Sequence, residues 1–235
     1  MADDLESFAH DLYQEILNEA HLEGAEMLRE EAFTARMIQE LTEVGELDDG
    51  EVAFFKDRGM RVGGYSLADD GRRLDLIAPI YTQTTSPQTV TRDQVDTAFA
   101  RLQAFFQRAR GELISSLEES TAVFDMVLSI RESKDIEKLR LFLVTDGKTT
   151  VKQRPPEIVD GIQVSFHVWD IKRLFRAITS GQQQEAININ FLRKYGEPLR
   201  CLVVPHEWTD YQAHLAIIPG PVLADIYDEF GTRLL

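Results

Sequence analysis

Apolar residues recur over the first part of the chain at three- and four-residue steps. Leu5, Phe8, Ala9, Leu12, Tyr13, Ile16, Leu17 and Ala20 fall on one stripe and predict an amphipathic helix, with Gly24 as its end. A second stripe, Phe33, Met37, Ile38, Leu41 and Val44, predicts another helix over about 26–44, followed by an acidic loop from Gly45 to Gly50. The period then changes. Val62, Tyr65 and Leu67, and after them Leu74, Leu76, Ile77, Ile80 and Tyr81, predict two strands. The joint between them, Ala68-Asp69-Asp70-Gly71, is a turn in which glycine accepts positive φ at no steric cost. The second strand is apolar at nearly every position, so it is expected inside a sheet covered on both faces. This hairpin, Arg61 to Thr82, is the piece against which the rest is expected to pack. Ala53-Phe54-Phe55 reads as a short apolar run leading into it.

Thr82 to Val90 is polar, and Thr91-Arg92-Asp93-Gln94 has the form of a capping box, which opens a long helix carrying Val95, Ala98, Phe99, Leu102, Phe105, Phe106, Ala109 and Leu113. Ser116-Leu117-Glu118-Glu119 reads as a second capping box, starting a shorter helix through Ile130. Leu139 to Thr145 is expected as a buried strand, Asp146-Gly147 as a turn, and Ile162 to Trp169 as a further strand. Asp170 fits the N-cap of a helix from Ile171 to Ile178. After the polar break from Ser180 to Gln184 the pattern shortens. Ile187, Ile189 and Phe191 alternate with asparagines, and Leu199–Val204 and Ala213–Ile218 are apolar, so three strands in a meander are expected. Pro219-Gly220-Pro221 opens a last helix with Val222, Leu223, Ile226, Tyr227 and Phe230 inward. Helices and strands in this order predict a mixed α/β layer fold. Its expected parts are N-terminal helices over 1–60, an α/β core over 61–180, and a strand meander with helix over 181–235.

Composition narrows the partners. At 235 residues and 43% hydrophobic content the chain has enough apolar surface for a substantial core. Its formal net charge of -15 repels a polyanion at long range and disfavours a general nucleic-acid binder. A local basic patch from Arg72, Arg73, Lys148, Lys152 and Arg154 would be the exception. A protein partner or self-association is the remaining expectation. No apolar run approaches the roughly 20 residues of a spanning helix and no leader-like start is present, so a cytoplasmic protein without membrane contact is expected. The single cysteine, Cys201, lies in an apolar run and is expected as a buried thiol.

Few residues offer chemistry. Asp146-Gly147-Lys148-Thr149 follows a buried strand as a phosphate loop would, but Phe142 stands where the first glycine belongs, and Val151 to Pro156 cannot begin the required helix. The segment is expected to be a turn. His206-Glu207 lacks the second histidine of a helical zinc site, His214 is too distant, and His10 and His21 are expected as ordinary helix residues.

Two stretches carry a resemblance. Val62-Gly63-Gly64-Tyr65-Ser66 followed by Leu74 to Tyr81, and the C-terminal Leu223 to Leu235, resemble the N-terminal part of abortive-infection phage-resistance (AIPR) proteins. The second stretch is similar to the helix that precedes an Asn-Val-Arg motif in that family, and the chain stops just before it. A further domain is therefore expected beyond Leu235. The order of helices, strand pair, long helix and further strands also resembles the restriction-endonuclease-like core of PD-(D/E)XK nucleases. In such nucleases an aspartate on the first strand and a Gln/Glu-x-Lys on the second hold a divalent cation, and the lysine assists the attacking water. The resemblance places these on Gly63, Ala78 and Ile80, none of which can bind metal or position water. It thus implies a degenerate, non-catalytic nuclease-like domain with no cofactor, acting as a recognition, scaffold or dimerisation module. Two alternatives stand beside it. One is a nuclease using Mg or Mn with displaced groups, Asp75 as catalytic metal ligand, Glu40 as a second acid and a lysine such as Lys56. The other is a ligand- or protein-binding sensor built on the same sheet.

Overall fold

The two N-terminal stripes form helices in a computed structural model that describes residues 2–22, 29–151, 153–180, 189–204 and 213–230. They are α1 (Ala2–Leu22) and α2 (Arg29–Glu43). The chain divides into two units, 1–183 and 184–235.

The first unit is built on a six-stranded mixed sheet. Its strands are β1 (Glu51–Asp57), β2 (Met60–Leu67), β3 (Arg73–Ile80), β4 (Lys138–Thr145), β5 (Gln153–Val159) and β6 (Ile162–Trp169), in the spatial order β1-β2-β3-β4-β6-β5. β3, β4 and β6 run parallel, while β1, β2 and β5 are antiparallel to their neighbours. The predicted hairpin is β2–β3, closed by Gly71 at φ 69° with Ala68 N–H donating to the Arg73 carbonyl at 2.9 Å. The run Ala53–Phe55 is more than a lead-in, because it lies within β1 and adds a strand to the sheet.

Both faces of the sheet are covered, as the unbroken apolar pattern of β3 requires. On one face α3 (Arg92–Ala109) and α4 (Ala122–Glu132) bury Phe99, Leu102, Phe105, Met126 and Val127 against Leu74, Leu76, Leu141 and Phe166. On the other, α1, α2 and α5 (Ile171–Ser180) bury Ile16, Phe33, Met37, Leu41 and Leu174 against Ile77, Phe142, Val144 and Trp169. The sheet and α2 approach closely at a pair of glycines. A Cβ on Gly63 would stand 3.2 Å from Thr34 Cγ2, and one on Gly64 2.6 Å from Ile38 Cδ1, both of α2.

Helix starts follow side-chain caps, with one departure from the sequence pattern. Thr91 and Gln94 form the reciprocal box expected of them, and Asp170 accepts from Arg173 N–H at 2.9 Å to start α5. Ser116 does not cap. Its hydroxyl donates backward to the Leu113 carbonyl at 2.7 Å within a 3-10 turn, Leu113–Ser116. The cap of α4 is Thr121, which accepts from Phe124 N–H, so the helix starts at Ala122. The apolar pattern also gave no sign of β5. It carries Pro155 and Pro156 at a register break, which a sheet tolerates on an edge strand, where the missing N–H has no ladder partner to lose.

The second unit holds α6 (Phe191–Tyr195), the antiparallel pair β7 (Cys201–Val204) and β8 (Ala213–Ala216), and α7 (Gly220–Phe230). The expected first strand of the meander is replaced at its described end by a helix. Asn190 accepts from Arg193 N–H at 3.0 Å and Phe191 starts α6, while Ile187 and Asn188 lie outside the described residues. Cys201 is exposed, not buried: among the described residues β7 pairs with β8 alone, and Leu202 and Leu215 beside it are exposed as well. On α7, Ile226 is buried, but Leu223 and Tyr227 are 50% and 46% exposed, so the inward stripe is narrower than its sequence suggests.

Candidate functional site

Strand alternation decides which side of the sheet each candidate residue faces. Leu74, Leu76 and Ala78 of β3 belong to the α3–α4 side and Ile77 to the α1–α2–α5 side. Asp75 therefore shares the face of Ile77 and lies level with Arg140, its parallel neighbour on β4. The two side chains meet squarely. Arg140 Nε donates to Asp75 Oδ1 at 2.6 Å, and Nη2 donates to Oδ2. Asp75 is fully buried, and the Arg73 guanidinium stands 3.6 Å away as a second cation.

Arg140 is held in turn by its surroundings. Nη2 also donates to the Glu46 carbonyl at 3.0 Å, and the guanidinium lies 5.1 Å from the centre of the Phe142 ring. Phe142 stacks on His167 at 4.8 Å, and His167 Nε2 lies 3.0 Å from Ser165 Oγ. The buried Glu46 carboxylate is 3.5 Å from Arg173, which packs 3.9 Å over Trp169. Burial alone would push the Arg140 pKa down, but the Asp75 charge more than offsets it and the net shift is upward. Both oxygens of Asp75 are thus occupied by a guanidinium, and that positive charge stands where a metal ion would have to sit.

The three positions of the nuclease comparison do not converge. Ala78 and Ile80 pack into the α3–α4 side of the sheet. Gly63 faces the other way, its Cβ direction meeting Pro79 and Thr34 of α2. Nor does the structure assemble the alternative set. Glu40 is buried on α2 and pairs with Arg36 at 2.7 Å, and Arg36 reaches Glu15 of α1 at 3.5 Å. Burial raises its pKa, with the Arg36 charge opposing. Lys56 pairs across the ladder with Arg61, and Asp75 with Ser66. Those two partners are five residues apart on β2, roughly 17 Å at about 3.3 Å per residue. Among the described residues no group of three His, Cys, Asp or Glu is placed to hold a metal ion.

A second polar cluster lies at the carboxyl ends of the parallel strands, where open α/β sheets place their ligands. Asp146 follows β4, is buried, and accepts from Thr82 N–H and Thr82 Oγ1, both at 2.8 Å. Burial raises its pKa, while the Thr82 hydrogen bonds work against the rise. Tyr81 stacks on Phe33 at 4.7 Å, and its hydroxyl is pushed up to about 12 by burial first and by the Asp146 charge second. The sequence singled out Asp146 only as a turn residue. Its position directly after a buried parallel strand was the available signal.

The same loop settles the phosphate-loop question by its backbone donors. Gly147 N–H donates to Thr145 Oγ1 at 3.0 Å, Lys148 N–H to the Gln88 carbonyl at 2.7 Å, and Thr149 N–H to Asp170 Oδ2 at 3.1 Å. All three are spent on tying β4 to its neighbours, and β5 follows instead of a helix. The segment is a tie, as the glycine count implied.

The basic residues do not form one patch. Arg73 lies beside Lys138 at one end of the β3–β4 ladder, whereas Lys148 follows the opposite end. Arg154 lies on β5, and Lys152 falls outside the described residues. His10 is exposed on α1, and His206 lies outside the described residues. Among the described residues no helix is long and apolar enough to cross a membrane.

Residues 33–176 fit the family model described as the abortive infection phage resistance protein N-terminal domain. That span runs from α2 to α5 and contains every strand of the six-stranded sheet. No curated protein and no solved structure matches the chain.

Proposed function

The chain belongs to the family of abortive infection phage resistance protein N-terminal domains, and from that premise we propose that its sheet is a non-catalytic, restriction-endonuclease-like module of phage defence. Its role is recognition or scaffolding within the defence system. The observation that carries this reading is the buried Asp75–Arg140 pair. The one carboxylate on β3 is saturated by a guanidinium, on the face opposite Ala78 and Ile80. Metal-assisted hydrolysis needs carboxylates converging on a cation with a water within reach. Here one face of the strand offers alanine and isoleucine, and the other a neutralised ion pair. The element order also supports a nuclease-like ancestry: α2, the antiparallel β1–β2–β3, α3, then β4 parallel to β3.

The test is cleavage of supercoiled plasmid, single-stranded DNA and RNA by the purified chain with Mg²⁺ or Mn²⁺, beside an Asp75→Ala variant. The expected result is no metal-dependent cutting of any substrate. Cutting by the parent that disappears in a folded Asp75→Ala protein would overturn the reading and restore Asp75 as a metal ligand.

A further inference from the structure

We draw no further inference here: the strongest candidate, the exposed apolar patch that Leu202, Leu215 and Ile217 form on and just beyond the β7–β8 pair, carries nothing, because nothing in the structure shows what covers it.

Discussion

At Asp75 and Arg140 two charges leave water together, and each is tolerable only because the other is present. Asp75→Asn strands the Arg140 guanidinium in the sheet and should cost about 3 kcal/mol in urea unfolding. Replacing both, as Asp75→Leu with Arg140→Met, should recover most of that loss. Equal losses in the single and double variants would show that packing, not charge, holds this position. Three other carboxyls, Glu30, Glu40 and Asp146, have pKa values raised first of all by burial. A raised carboxyl binds its proton more tightly when folded. Its full contribution to stability is therefore present below the ordinary carboxyl pKa and is lost as pH rises through the folded value. Melting temperature should accordingly rise as pH is lowered from neutrality toward the ordinary carboxyl range, with a smaller rise in Glu40→Gln. A melting temperature that falls over that interval would contradict the assignment. None of these pairings was legible in the sequence. Asp75 could be placed on its face by alternation, but Arg140 lies sixty-five residues away, and only the parallel register of β3 and β4 brings them level.

At the scale of elements, local rules read well where the local signal is complete. Thr91-Arg92-Asp93-Gln94 has both members of the capping box and forms it. Ser116-Leu117-Glu118-Glu119 has the same letters and does not. The apolar stripe of α4 runs through Val123, Met126, Val127 and Ile130, and burial of that stripe sets the helix start at Ala122. Thr121→Ala should therefore destabilise the protein by about 1 kcal/mol in chemical unfolding, and Ser116→Ala by much less. A larger effect at Ser116 than at Thr121 would reverse the assignment. The edge strand β5 was unreadable for a different reason. Two prolines argue against a strand, and only a position at the sheet's edge makes them tolerable. Asn190 and Phe191 misled in the same way, because an asparagine in an alternating run is also a good helix cap.

Across the whole chain the switch from helical to two-residue periodicity was enough to give a mixed α/β class and the central place of β3. It could not give the strand order, which depends on pairings far apart in sequence. The family match covers the sheet, α3, α4 and most of α2 and α5, and so takes in the layers described above apart from α1. Within those layers the account makes one central claim: the one carboxylate of β3, Asp75, is taken up by Arg140 and is not free to hold a metal ion. The most direct measurement is a Mn²⁺ titration followed by calorimetry on the parent, Asp75→Asn and Glu40→Gln proteins. The account predicts no saturable Mn²⁺ site in the parent. A stoichiometric site that is lost in a folded Asp75→Asn protein and kept in Glu40→Gln would contradict it.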